Sequence, residues 1–144
     1  MPLTRAPERI ETERLILRRP VASDADAIFS RYASDADVCR YVGFPRHRSV
    51  GETRVFLRFS DEQWAQWPAG PYLALLRETG EVAGSSGLKF EAKLRAATGY
   101  VFAKPYWGRG LATEVLAAMV EVARGCGVQP VSYTHPTLPT ICSV

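Results

Sequence analysis

Gly108 and Gly110 stand between an apolar run that ends at Ala103 and an amphipathic run that begins at Leu111. A strand that turns through glycine into a helix can bind an anion. The first turn of a helix has N–H groups without intrahelical acceptors and carries partial positive charge. Phosphates bind there readily. Glycine lets the anion approach the backbone with no Cβ in the way. Two specific phosphate motifs are excluded. A dinucleotide fingerprint needs a third glycine where Thr113 stands, and no Gly-Lys-Ser/Thr of a P-loop is present. On spacing alone, a tight turn chosen for packing explains the two glycines equally well.

Other reactive side chains carry less. His47 lies between Arg46 and Arg48. A solvated loop is the simpler reading than a general base, and solvated charge the simpler reading of the two arginines than selection of an acidic acceptor. Ser85 and Ser86 have no His/Asp pattern beside them. Cys39, Cys126 and Cys142 are an odd number without C-x-x-C spacing, which gives neither a disulfide framework nor a zinc site. No metal is expected. Trp64, Trp67 and Phe44 suit core packing or the wall of a pocket, as does Tyr41.

The elements that hold these residues follow from periodicity. Thr12 to Arg19 alternates around Leu15 and Leu17 as a strand that Pro20 ends. Ser23-Asp24 starts a helix carrying Ala25, Ile28, Phe29 and Tyr32. A short helical piece spans Asp35 to Tyr41 and breaks at Gly43-Phe44-Pro45. Ser49 and Glu52 have capping-box spacing, and Val55, Phe56 and Phe59 continue that helix toward Trp67. Tyr72 to Arg77 and Val82 to Leu88 form a hairpin. A polar connection from Lys89 to Thr98 leads to a fourth strand, Gly99 to Ala103. Leu111, Val115, Met119 and Val122 then mark the clearest amphipathic helix, with Gly125 or Gly127 as its C-cap.

Composition agrees. The chain has 144 residues, 47% hydrophobic and 23% charged. That suits one globular domain and excludes a disordered chain. A formal net charge of +3 is too weak to argue for nucleic acid, so none is expected as a partner, and it is compatible with an anionic small ligand. No run is long enough to span a membrane and no leader precedes residue 10, so a cytoplasmic protein is expected.

Taken in order, Thr12 to Arg18 (TERLILR), Ser34 to Val42, Thr79 to Gly87 (TGEVAGSSG), Gly99-Tyr100 and Tyr106 to Val115 (YWGRGLATEV) resemble the GCN5-related N-acetyltransferase (GNAT) family. The similarity is greatest to the branch that acetylates ribosomal-protein N-termini. It covers residues 10 to about 128. The resemblance implies an α/β acyl-CoA N-acyltransferase fold, a mixed, mostly antiparallel sheet flanked by helices. It implies an N-acetyltransferase that uses acetyl-CoA and an amine acceptor, protein N-terminus or small molecule, as monomer or homodimer. By motif position, Trp107, Gly108, Arg109, Gly110, Leu111, Ala112 and Thr113 would cradle the CoA pyrophosphate. Tyr100, Val101, Phe102 and Ala103 would run beside the pantetheine arm, and a backbone N–H of that strand would polarise the thioester oxygen. Pro105 departs from the Gln or Arg often found at that position of the motif. Family acid and base residues lie on a fifth strand and the helix after it, so no catalytic residue is assigned. A CoA-binding or interaction domain without catalysis is the alternative.

The last residues read differently. Pro130 to Val144 contains no Lys, Arg, Asp or Glu. Val131 to Thr140 (VSYTHPTLPT) resembles a translated sequencing-library adapter, and His135 is discounted with it. The expected division is therefore an incomplete acetyltransferase domain, 1–129, and a non-native tail, 130–144. A fold truncated after the helix that follows the fourth strand should leave that strand as an edge, although Val131 to Tyr133 tolerates a strand conformation beside it. It should also leave the Leu111–Ala123 helix partly uncovered, with low solubility or partial melting as the consequence.

Overall fold

The computed structural model describes residues 4–40, 45–92 and 95–133. A six-stranded sheet runs in chain order through β1 (Arg9–Glu11), β2 (Leu15–Arg18), β3 (Pro71–Leu76), β4 (Val82–Ala92), β5 (Arg95–Phe102) and β6 (Gln129–Tyr133). The first five are antiparallel neighbours, and β6 joins β5 in parallel. Between β2 and β3 lie α1 (Ala25–Ile28), which continues into a π-helical turn at Phe29–Ala33, then α2 (Ala36–Arg40) and α3 (Val50–Gln66). A 3-10 turn at Lys104–Tyr106 and the long helix α4 (Leu111–Cys126) separate β5 from β6. The α/β class and the mostly antiparallel sheet are those expected.

Register places helices on both faces of the sheet. Ser85 of β4 pairs with Leu73 and Val101, and Ser86 pairs with Tyr72 and Tyr100. Successive strand residues point to opposite faces. The Tyr32 hydroxyl bonds Ser85, while Cys126 at the end of α4 lies beside Tyr72. The α1 layer therefore covers one face and α4 the other. Leu15, Leu17, Leu73, Val115 and Met119 fill the core at 1% exposure or less.

Several expectations change. Thr12 to Arg14 is a turn closed by the Thr12 N–H on the Leu15 carbonyl, and Ile10 pairs with Leu17 across the hairpin. The β1 segment carries charges on either side of one isoleucine, so its alternation is faint. The polar connection from Lys89 to Thr98 is largely strand, because Phe90, Ala96 and Ala97 are buried there. The capping box at α3 is incomplete. Ser49 is the N-cap without a side-chain bond, and the Glu52 carboxylate takes the Arg48 N–H instead.

Two further corrections concern the end of the sheet. The fourth expected strand, here β5, is not an edge along its first half, because Arg95, Ala96 and Thr98 pair with β6. The α4 stripe is not left open: Leu111, Val115, Met119, Val122 and Ala123 are all buried, with Leu116 and Val120 half-buried beside them. Gly127, at φ 91°, is the C-cap rather than Gly125. Tyr41, Phe44, His135 and Cys142 lie outside the described residues.

Candidate functional site

The backbone of β5 carries the site to its end. The Ala103 N–H donates to Ala83, so alternate residues back along β5 face β4. Thr98, Tyr100 and Phe102 therefore turn their backbone groups the other way. The parallel ladder with β6 reaches Thr98, and on the side away from β4 no described strand continues alongside Gly99 to Phe102. The Trp107 indole closes the far end by donating to the Phe102 carbonyl at 2.7 Å. Tyr100, Val101, Phe102 and Ala103 are all buried.

Beyond the 3-10 turn, Trp107 to Ala112 line a small concavity together with Phe102 and Tyr106. Gly108 and Gly110 have φ of 73° and 78°, the left-handed region that side chains resist. A Cβ on Gly108 would meet nothing within 4 Å, so its conformation, not crowding, requires glycine. Among the described residues, no acceptor takes the amide N–H of Gly108, Arg109 or Gly110. The first amides of α4, from Leu111 to Thr113, have no intrahelical acceptor either. Leu111 and Ala112 are buried and Thr113 is exposed. Trp107 to Ala112 thus line one concavity at the head of α4, with Thr113 exposed beside it, and amides left without acceptors at such a turn suit a diphosphate.

The sequence reading missed what holds that turn. Arg14 donates from Nη1 to the Arg109 carbonyl at 2.6 Å and from Nε to Glu114 at 2.7 Å. Glu114 also accepts from the Thr12 hydroxyl and the Arg14 N–H. Burial pushes the Glu114 carboxyl up, but these bonds outweigh it and hold the group below its usual range. A carboxylate in the first turn of α4 would repel an incoming phosphate; Arg14 neutralises it. A Cβ on Gly110 would come within 3.3 Å of Arg14 Nη2. Thr12 and Arg14 stand in one motif segment and Glu114 in another, but nothing in the sequence joined them, because 100 residues separate Arg14 from Glu114.

A larger cavity, about 650 Å³, opens between α1, α3 and β4. Ile28, Tyr32 and Ser85 form its floor; Val55, Phe56, Phe59 and the 45–48 segment form its walls. A second space, about 270 Å³, shares Phe56, Phe59 and Ser85 with it and reaches Gly99, Tyr100 and Val101 of β5. Val55 and Phe59 are therefore wall residues, 54% and 46% exposed, while α3 buries Thr53, Leu57, Ser60 and Trp64. Trp64 is core, with its indole N–H on the Pro71 carbonyl at 2.8 Å, and Trp67 stacks on Phe90. His47 lines the larger cavity with Nδ1 2.7 Å from the Thr53 hydroxyl, and burial pushes its imidazolium down in pKa. Two ties join the π-helical turn and α2 to the 3-10 turn after β5. Arg31, in the π turn, donates to the Tyr106 hydroxyl at 2.7 Å, and Lys104 pairs with Asp37 at 2.6 Å.

Comparison with known proteins identifies the family and the fold. A sequence model of the acetyltransferase (GNAT) domain family matches residues 14–142. The chain is 28% identical over 116 residues to an uncharacterized N-acetyltransferase, p20, of Bacillus licheniformis, covering 79% of this chain and 65% of that protein. It is 30% identical over 118 residues to an uncharacterized N-acetyltransferase, YoaA, of Bacillus subtilis, covering 77% and 63%. The chain thus spans less than two thirds of these relatives' length. Among solved structures, a GNAT-family acetyltransferase from Bacillus anthracis superimposes with a TM-score of 0.66 at 24% identity, over 78% of this chain and 64% of that one. A ribosomal L7/L12 alpha-N-protein acetyltransferase, RimL, superimposes with a TM-score of 0.71 at 21% identity, over 87% and 70%. These two share the fold.

Proposed function

The chain belongs to the acetyltransferase (GNAT) domain family, and from that premise we propose that it binds acetyl-CoA on the Trp107–Thr113 turn and transfers acetyl to a primary amine. The observation that carries this reading is the turn itself. Two left-handed glycines and the start of α4 bring amides without acceptors among the described residues to one concavity, where a diphosphate would satisfy them. The fit is chemical as well as spatial. Arg109 lies over the Tyr106 ring at 5.9 Å, and Arg14 balances Glu114, so the mouth is not acidic.

In this reading Tyr100 to Ala103 run beside the pantetheine arm, with the backbone groups of Tyr100 and Phe102 turned away from β4 toward it. The cavity shared by Phe56, Phe59 and Ser85 admits the acceptor from the α1 face. Acetyl-CoA supplies an acyl group as a thioester. The neutral amine forms the amide bond, the C–S bond breaks, the thiol takes a proton and the amine nitrogen loses one. A backbone N–H at the β5 end stabilises oxygen charge in passing. The Trp107 bond to Phe102 fixes that end of the strand.

Titration calorimetry with acetyl-CoA tests the cradle. Gly108→Val and Gly110→Val each place a branched side chain at positive φ, a cost of about 1–3 kcal/mol. A loss of roughly 10- to 100-fold in affinity is expected. Parental affinity in both variants would put the cofactor elsewhere. Release of CoA thiol on adding amines separates transfer from binding alone.

A further inference from the structure

The larger cavity has a chemical character that acetyl transfer by itself does not require. Its interior is apolar, formed by Ile28, Ala33, Val55, Phe56 and Phe59. Val55 and Phe59 are two of the few large hydrophobic residues that stay exposed, and both face this space. Its rim is cationic. Arg46 and Arg48 both line it, and neither guanidinium has an ion-pair or hydrogen-bond partner among the described residues.

The other groups at the rim do not cancel that charge. His47 between them is held to Thr53, and burial disfavours its cation, so it adds no positive charge near pH 7. Glu52 is the one lining carboxylate among the described residues, and it accepts the Arg48 backbone N–H. Asp35, which like Arg46 acts on the Cys39 thiol, is engaged with Lys104 at 3.6 Å. Two guanidiniums against one lining carboxylate leave a net positive mouth over an apolar chamber of about 650 Å³, a volume suited to a small organic ligand.

Building on the acetyl-transfer reading, we infer that the acceptor is an amine carrying an apolar body and a carboxylate. The apolar body fills the space along α3, the carboxylate meets Arg46 and Arg48, and the amine points past Ser85 toward Val101. Guanidinium and carboxylate match in shape as well as charge. A polycationic amine is disfavoured, because it brings further positive charge to two uncompensated arginines.

The test uses the full chain with acetyl-CoA and three acceptors: leucyl-phenylalanine, the same dipeptide as its C-terminal amide, and spermidine. The free acid is expected to exceed the amide in kcat/KM by about fivefold or more, the reach of two partly exposed arginine–carboxylate pairs. Arg46→Gln with Arg48→Gln is expected to bring that ratio toward one. Acetyl-CoA affinity of the variant, measured in parallel, reports that it is folded. Equal turnover of acid and amide, preference for spermidine, or a ratio that survives the double substitution overturns the inference. Where no amine is turned over, calorimetry compares binding of acid and amide, and equal or absent binding overturns it. Failure of the parent chain to bind acetyl-CoA instead overturns the acetyl-transfer reading.

Discussion

Arg14 illustrates how much one side chain can organise. Its guanidinium spans the Arg109 carbonyl and the Glu114 carboxylate, and so sets both the shape and the charge of the amide-lined turn. Hydrogen bonds to charged groups contribute about 1.5–3 kcal/mol each. Arg14→Gln is therefore expected to weaken acetyl-CoA binding by roughly tenfold, with Arg14→Lys recovering only part, since an ammonium cannot bridge two acceptors as a planar fork does. Calorimetry of the two variants checks this; equal, unaltered affinities would show the turn holds its shape without Arg14. Ser60 makes the opposite case. Its hydroxyl is buried in α3 without a hydrogen-bond partner among the described residues. Ser60→Ala removes that orphan and adds a better helix former, so a gain of up to about 1 kcal/mol is expected in chemical denaturation.

At the scale of elements, α3 is divided between two duties. One stripe, Thr53, Leu57, Ser60 and Trp64, locks the helix to the core. The adjoining stripe, Val55, Phe56 and Phe59, lines the cavities. Trp64 closes the end of the sheet where β2 leaves and β3 enters, edge-on to Tyr72 and under Arg19. Trp64→Ala is expected to cost about 3–5 kcal/mol, whereas Phe59→Ala should spare stability and alter acceptor KM; thermal melts and kinetics on both variants separate the duties. The β4–β5 pair has its own constraint at Gly84. A Cβ there would collide with the Val101 carbonyl and lie 2.9 Å from the Phe102 Cα. Gly84→Ala must push β5 away from β4, exactly where β5 enters the site, so both stability and acetyl-CoA affinity should fall.

For the whole molecule, acid sensitivity follows from buried carboxylates. Asp24 accepts both Arg18 nitrogens at 2.8 Å and the Val21 N–H at 2.8 Å. Burial pushes its carboxyl up, but these bonds more than compensate, and the net shift is downward, as at Glu114. The unfolded chain therefore binds these protons more readily than the folded one. Their stabilisation is complete above the ordinary carboxylate range, about pH 4, and is lost as pH falls through the depressed folded values. His47 adds a window at higher pH, since its folded form resists protonation below about pH 6.5. Melting temperature should hold near neutral pH, decline gently below about 6.5 and fall steeply below about 4. Asp24→Asn should flatten the steep limb; an unchanged limb would assign acid unfolding to other groups.

The local signals were legible. Alternation at Leu15 and Leu17, the 3.6-residue stripe of α4 and the two glycines before it are each written within a few consecutive residues, because backbone sterics and periodic burial act over that range. Ordered motifs extended this to the family and drew attention to the glycine turn at the head of α4. The sequence could not reveal that Val55 and Phe59 face a cavity, since their spacing is as helical as that of a core stripe. Nor could it place Arg14 on Glu114, or set β6 in parallel beside β5 from Arg95 to Thr98. Those outcomes depend on which elements meet across the sheet. Packing alone selects which of two equally apolar faces is buried, and only the closed fold brings distant charges within hydrogen-bonding distance.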